Sequence, residues 1–261
     1  MWEEKEPGEA WEAEEGMSTG ISYLDEVWNP VTGCSGKGCK AHCWARYNVE
    51  TMKRHVIHGW DDSMEPVPFS TVQFHPERLD KPLHWRKPRR IGVVFCGDLF
   101  DEQLNEYGGW DHTWDVFRVM IKANWHTYFL LTKQPQNMAV FYKRWIKDPL
   151  PHVWHGVSIT DQEDADRMIP ELLKVPGKHW LSIEPMLGSI PFLRLTRIHW
   201  VVIGAESGPK RRPCDHQWMV DVVRQCKAAG VPCYVKQYPF RGKVSHNPDE
   251  WPEELRVRQL P

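Results

Sequence analysis

The feature that most constrains the fold is a regular alternation of two kinds of segment. Short apolar runs rich in β-branched and aromatic residues occur at 21–31, 71–74, 91–96, 126–132, 153–159, 179–183, 199–204 and 232–236. Between most of them, apolar residues recur at helical spacing, notably over 110–124, 135–147, 161–174 and 216–229. About eight such β/α units predict a parallel, TIM-like β/α barrel, complete or nearly complete. An open doubly wound sheet is the alternative, but no Gly-x-Gly-x-x-Gly turn follows the first strand.

Composition places the chain among globular proteins. Of 261 residues, 26% are charged and 41% are apolar. The N-terminus is acidic and no long apolar run occurs, so we expect neither a membrane span nor a secretory signal, and a cytoplasmic location. Residues 1–16 hold seven glutamates and one lysine and are predicted to be a disordered acidic tail. The barrel is predicted over 17–240, with a C-terminal extension over 241–261.

Three of the seven cysteines, Cys34, Cys39 and Cys43, lie within ten residues on a glycine-containing loop. An odd cysteine number in a chain without a secretory signal argues against a disulfide framework. Three thiolates on one short loop suit a four-iron four-sulfur cluster that keeps one iron open for a ligand. A zinc site with His42 as the fourth ligand, or ordinary reduced thiols, are the alternatives.

Several motifs carry a resemblance to a known family. They are residues 20–21 and 28–34, Cys39, residues 43–45, 182–188, 204–209, 229–232 and 236–237. With these motifs the chain resembles a phage-associated three-cysteine family, largely of unknown function, that is regarded as related to radical S-adenosylmethionine (SAM) enzymes of the spore-photoproduct-lyase and phage base-modification types. Those enzymes commonly space their ligands Cys-x3-Cys-x2-Cys, whereas the spacing here is Cys-x4-Cys-x3-Cys.

Polar residues that end the apolar runs are the candidate site residues, because the working groups of such barrels stand at the carboxyl ends of strands. They are Asp98, Lys133, Ser158, Glu184, Glu206 and Lys236. A helix cap would explain Asp98 without chemistry. Lys133, Glu184 and Lys236 are poor caps, and a long charged side chain at the end of a buried strand is costly unless it is paired or used.

The resemblance implies roles for these residues. Asp98 would meet the methionyl ammonium group of SAM, and Lys133 or Ser158 its carboxylate or ribose. One electron, delivered by a donor such as flavodoxin or ferredoxin, would cleave SAM and give a 5′-deoxyadenosyl radical that abstracts hydrogen from the substrate. Glu184, Glu206 and Lys236, further round the barrel, would hold the substrate, and Glu184 and Lys236 are candidate catalytic residues.

Cys214 is the remaining candidate catalytic residue. It lies in a loop, 208–216, with three positive charges that would lower its thiol pKa, so that it could quench a product radical or act as a second-site ligand. A solvated basic turn is the alternative. Cys96, Cys226 and Cys233 are predicted to be small buried apolar residues.

The substrate is the least constrained part of the sequence interpretation. Two basic clusters, 86–90 and 210–212, and the loop tryptophans Trp60, Trp85, Trp110 and Trp218 have the chemistry for phosphate contact and base stacking. The phage resemblance implies a modified nucleotide or a DNA base, such as a thymidine derivative. The same chemistry on a peptide or small metabolite is an alternative. A zinc-stabilised nucleic-acid-binding module without catalysis is another.

Overall fold

A computed structural model of the chain describes residues 20–36, 43–51, 58–59, 65–208 and 211–261. Its main element is an eight-stranded sheet with the order β1-β4-β5-β6-β7-β8-β9-β10. The strands are β1 Glu26–Trp28, β4 Arg90–Val93, β5 Thr127–Thr132, β6 Val153–Ser158, β7 Lys178–Ile183, β8 Trp200–Gly204, β9 Cys233–Phe240 and β10 Lys243–Ser245. Every neighbouring pair is parallel except β9 and β10. The predicted parallel sheet is therefore confirmed.

A separate two-stranded antiparallel sheet joins β2, Val31–Thr32, to β3, Gln73–Phe74. Residues 71–74 were predicted to supply a strand of the barrel, and this prediction is wrong. The run gives only two strand residues before Pro76 begins a 3₁₀ turn, and its partner is the segment just before the cysteine loop. The eighth strand of the main sheet is instead β10, which lies in the predicted C-terminal extension.

Helices connect most of the parallel strands. Their bounds are Trp44–Arg46, Lys81–His84, Asp111–Lys122, Pro135–Trp145, Gln162–Leu172 and His216–Ala229, with 3₁₀ segments at Pro76–Arg78, Glu102–Gly108, Pro248–Glu250 and Glu253–Leu255. The four longest agree with the predicted helices to within two residues at each end. The first helix, Trp44–Arg46, is followed directly by a π-helical turn, Tyr47–Thr51. Across the described residues, no helix has the length and apolar character needed to cross a membrane.

The two faces of the sheet carry different side chains because successive residues of a strand alternate between faces. On β5, Tyr128 and Leu130 pack into the large core under the helices, whereas Phe129 faces the opposite side. That inner face carries a second apolar cluster, the aromatic layer, made of Tyr23, Phe129, Trp154, Trp180, Trp200 and Tyr234 with Leu24 and Val202. Many of the tryptophans are therefore core bulk.

The sheet curves strongly but does not close by strand pairing. The segment before β1 reaches β9, since the Tyr234 hydroxyl donates to Ser22 Oγ at 2.8 Å and the rings of Tyr23 and Tyr234 have centroids 5.6 Å apart. Among the described residues, however, β1 pairs with β4 alone. The mixed α/β fold is thus as expected, whereas the closed barrel is not found.

The residues of the predicted extension, 241–261, pack against the sheet. After β10, Trp251 and Leu255 are buried in the main core. The Val235 amide of β9 donates to the carbonyl of Val257 at 2.8 Å. Residues 257–259 therefore lie antiparallel along the edge of β9, while Trp251 and Leu255 cover its outer face.

Candidate functional site

Four polar side chains stand on the inner face of the sheet, one step beyond the aromatic layer toward the carboxyl ends of the strands. Alternation places Lys133 beyond Phe129 and Leu131, Ser158 beyond Trp154, Glu184 beyond Trp180 and Ser182, and Lys236 beyond Tyr234. The aromatic layer forms an apolar floor, and the four polar groups form a row above it. We call Lys133, Ser158, Glu184 and Lys236 the polar row.

The polar row is connected by short contacts. The Lys133 ammonium donates to Ser158 Oγ at 2.6 Å, and Ser158 Oγ donates to the Glu184 carbonyl at 3.4 Å. The Lys236 ammonium lies 3.0 Å from Glu184 Oε1. All three long charged side chains, Lys133, Glu184 and Lys236, are therefore paired, as their position at the ends of buried strands requires.

The Glu184 carboxylate is the centre of this row. Its side chain is 12% exposed and that of Lys236 is 18% exposed. The hydroxyls of Tyr23 and Ser182 each lie 3.4 Å from Oε2, while Oε1 accepts no hydrogen bond of ordinary geometry in the described part of the chain. Burial and the nearby Glu184 charge raise the pKa of Tyr23 well above its usual value. Oε1 is enclosed by the protein and faces the Lys236 ammonium.

The backbone around this pair is shaped for close approach. A Cβ placed on Gly204 would lie 3.0 Å from Glu184 Oε1, and the pairing of β8 with β9 shifts register between Ile203 and Gly204. Irregularities of this kind re-aim side chains beside functional sites. Glycine at this position lets β8 pass directly beside the carboxylate.

Asp98 is a buried hydrogen-bond acceptor beside the polar row. It is buried, and its oxygens accept hydrogen bonds from the Thr132 hydroxyl and from the amides of Phe100 and Lys133, at 2.7 to 3.0 Å. Burial raises its pKa, while the Thr132 hydrogen bond opposes the shift. The carboxylate therefore fixes the backbone at Lys133 from below, and its predicted contact with the methionyl ammonium stays a prediction.

The cysteine loop is fastened to the same edge of the sheet. Asp101 Oδ2 accepts from the amide and the hydroxyl of Ser35, both at 2.8 Å, and from Gln134 Nε2 at 3.0 Å. Gln134 immediately follows Lys133, so one buried carboxylate joins the loop to the beginning of the polar row. Gly33 and Gly97 also form a parallel bridge there.

The environment of Cys34 and Cys43 fits metal-bound thiolates. Cys34 Sγ accepts the Gly36 amide at 3.3 Å, and Cys43 Sγ accepts the Arg46 amide at 3.5 Å. Both side chains pack against one small cluster of Ala45, Val49 and Phe69. Amide hydrogen bonds to sulfur and an apolar surround are what tune and protect thiolate-bound metal centres.

The described residues alone do not assemble a complete metal site. No group of three His, Cys, Asp or Glu side chains converges within that part of the chain. Cys39, the second predicted ligand, and His42, the alternative zinc ligand, both lie outside it. The structure therefore brings two of the three predicted ligands to the same apolar cluster and does not describe the third.

The loop after β8 contains the remaining two predicted residues. Glu206 is buried, and its carboxylate accepts from the Arg212 amide at 2.7 Å and from its guanidinium at 2.8 and 2.5 Å. Cys214 is also buried, and burial together with the charge of Asp215 raises its pKa to about 12. The predicted lowering of this pKa is wrong, because Glu206 neutralises Arg212 and the thiol is removed from water.

Sequence reasoning missed Tyr23, Asp101 and Gln134. Tyr23 precedes β1 and reaches Glu184 across 161 residues, which no local pattern could have indicated. Asp101 and Gln134 directly follow runs that were recognised, and each lies within three residues of a predicted site residue. Polar residues a few positions after a strand end were the available signal.

Comparisons with known proteins assign the chain to a family. A search of curated proteins and a search of solved structures both found no match. One family model, described as a protein of unknown function (DUF5131), matches residues 18–251. Because that match covers most of the 261 residues, the chain belongs to the DUF5131 family.

Proposed function

We propose that the protein is a radical SAM enzyme whose cysteine loop holds a four-iron four-sulfur cluster and whose polar row binds SAM and substrate. The observation that carries the proposal is that the sulfurs of Cys34 and Cys43 both accept hydrogen bonds from backbone amides. Their loop is joined, through Ser35 and Asp101, to the edge of the sheet where the polar row begins. In this proposal the curved parallel sheet is an incomplete barrel of the radical SAM type. When bound there and reduced by an electron donor such as flavodoxin or ferredoxin, the cluster would supply the one-electron chemistry that cleaves SAM to methionine and a hydrogen-abstracting 5′-deoxyadenosyl radical.

The cysteines and the loop that carries them hold the metal in this proposal. Cys34, Cys39 and Cys43 are its three ligands, and the amides of Gly36 and Arg46 stabilise negative charge on two of the sulfurs. Asp101 positions the loop through Ser35. Fixing the loop in this way would hold the cysteine ligands at the edge of the sheet where the polar row begins.

Lys133 and Ser158 bind SAM in the proposal. Their side chains lie 2.6 Å apart, so a single anionic group can be met by an ammonium and a hydroxyl together. The SAM carboxylate or ribose is suited to that pair. Asp98 acts through Lys133, because it accepts the Lys133 amide and fixes the direction of that strand end.

Glu184 and Lys236 hold the substrate and are the proposed catalytic residues. The pair is nearly buried, and the aromatic layer beneath it excludes water from below. The Glu184 carboxylate and the Lys236 ammonium place an acceptor and a donor side by side, which suits an amide-like edge such as that of a nucleobase. A nucleotide or DNA base is accordingly the proposed substrate class.

The direct test is cleavage of SAM. Protein reconstituted anaerobically with iron and sulfide is reduced with dithionite, and 5′-deoxyadenosine is quantified by liquid chromatography. We expect product from the native protein and none from Cys34→Ala or Cys43→Ala. Cys226→Ala is the matched control and should give product, because Cys226 is a buried residue of the helix His216–Ala229. Absence of product from native protein that carries an intact cluster would refute the proposal.

A further inference from the structure

A cavity of about 310 Å³ opens at the same edge of the sheet, beside the polar row. Its walls are the loop after β8 and the β9–β10 hairpin. The residues that line it include Glu206, Arg211, Arg212, Phe240, Arg241 and Lys243. Lys210, part of the basic cluster recognised in the sequence, lies outside the described residues. The hairpin, which no motif had indicated, brings Arg241 and Lys243 to the cluster.

The cavity is strongly cationic. Four cationic side chains and one carboxylate line it, which leaves three positive charges in excess. The carboxylate of Glu206 is engaged by Arg212, and Arg211 donates to the carbonyl of Gly208. In the described part of the chain, Arg241 and Lys243 form no ion pair with a carboxylate. Both are thus available to an anion.

The hairpin turn holds Arg241 in a costly conformation. Arg241 and Gly242 have φ values of +47° and +75°, a turn that favours Asn or Gly at both positions. A left-handed conformation is unfavourable for a residue that carries a side chain. The Arg241 guanidinium lies 5.1 Å from the centroid of the Phe240 ring, which orients it beside the cavity.

The cavity borders the proposed substrate site. Ala205 lines the cavity, and its carbonyl accepts a hydrogen bond from Gln237 Nε2, next to Lys236 in the chain. Gly204, the residue before Ala205, packs against Glu184 Oε1. An anion held in the cavity would therefore place a covalently attached group toward the Glu184–Lys236 pair.

We propose that this cavity is a phosphate-binding subsite, in which Arg211, Arg241 and Lys243 contact a phosphate group of the substrate and Phe240 lies against an attached ring. Arginine suits phosphate because its planar fork donates two parallel hydrogen bonds. The inference deepens the proposed function because it concerns the substrate of the same face. Phosphate binding itself requires neither the metal nor SAM.

Binding of three probes to the full chain tests the subsite and separates the two sources of phosphate. The probes are thymidine 5′-monophosphate, thymidine without phosphate, and a short single-stranded oligothymidylate, measured by calorimetry at two salt concentrations. We expect the monophosphate or the oligonucleotide to bind and thymidine to bind at least tenfold more weakly. Binding of the monophosphate identifies a nucleotide source, and binding of the oligonucleotide alone identifies a nucleic-acid backbone.

Matched charge-removing variants locate the contact. Arg241→Gln and Lys243→Gln should each weaken binding roughly tenfold and lower the salt slope by about one. Lys227→Gln should change affinity less than twofold. Lys227 lies eleven residues after His216, where the helix begins, and is therefore about 17 Å along the helix axis from that end. Circular dichroism verifies that the variants are folded.

Three results would overturn the subsite. They are equal binding of thymidine and its monophosphate, equal losses in Lys227→Gln and Arg241→Gln, or no binding of any probe. If the proposed radical SAM activity is wrong but the subsite is right, phosphate binding would persist and no 5′-deoxyadenosine would form. Cleavage of SAM without phosphate binding would overturn the subsite and leave the radical chemistry in place.

Discussion

A pair of glycine substitutions tests how tightly the cysteine loop is held. Gly33 and Gly20 both have positive φ values, +85° and +72°, so Ala at either position incurs the left-handed cost of about 1–2 kcal/mol. Nothing lies within 4 Å of a Cβ on Gly20. A Cβ on Gly33 would lie 3.0 Å from the Phe69 carbonyl oxygen and 2.8 Å from His58 Cε1, and would collide with the Thr71 carbonyl oxygen. Ala at position 33 therefore also overpacks the site, which costs a further ~1–3 kcal/mol in the free energy of unfolding.

The expected result follows from that difference. Gly33→Ala should lower the free energy of unfolding by about 2–5 kcal/mol and Gly20→Ala by about 1–2 kcal/mol. Urea unfolding followed by tryptophan fluorescence measures both. The Cys34 amide donates to the Phe69 carbonyl at 2.9 Å, so Gly33→Ala should also shift the first cysteine and reduce the iron bound after reconstitution. Equal destabilisation by the two substitutions, with equal iron content, would refute the packing argument.

The remaining predictions concern Asp98, the Glu184–Lys236 pair and Cys214. Asp98→Asn should destabilise the protein by about 1–3 kcal/mol, because the new amide leaves one buried donor, such as the Lys133 amide, without an acceptor; unchanged urea unfolding would contradict this. Glu184→Gln and Lys236→Met should each cost about 2–4 kcal/mol and the double variant less than their sum, because each single change leaves one nearly buried charge alone; additive losses would show that the pair is not coupled. Cys214, with a pKa of about 12, should resist iodoacetamide at pH 7 in native protein, and rapid labelling detected by mass spectrometry would show that its thiol is not held neutral by burial.

The sequence pattern was sufficient for the secondary structure of the sheet region. Strand periodicity on β5 to β9 depends on local side-chain alternation, and the four long helices carry clear apolar spacing with capping residues such as Asp161 and Asp215. Closure of the sheet could not be derived in this way. It depends on how β1 and β9 meet, which is decided by tertiary contacts such as Tyr234 with Ser22.

The candidate site was predictable in position and less so in electrostatics. Lys133, Ser158, Glu184 and Lys236 lie together because parallel strands end at one edge. The pairing that neutralises Arg212, and the burial that raises the pKa of Cys214, depend on contacts outside any motif. The positive charges of the loop sequence therefore predicted a lowered pKa for the Cys214 thiol, whereas its pKa is raised.

Chemical identification of the bound metal decides whether the cysteine loop carries an iron–sulfur cluster. Protein purified and reconstituted without oxygen is analysed for iron, zinc and acid-labile sulfide per chain, together with its visible absorption. We expect ~4 irons and ~4 sulfides per chain with broad absorption near ~400 nm, all lost in Cys34→Ala and retained in Cys226→Ala. A colourless protein that holds about one zinc per chain, or iron retained in full by Cys34→Ala, would contradict this assignment.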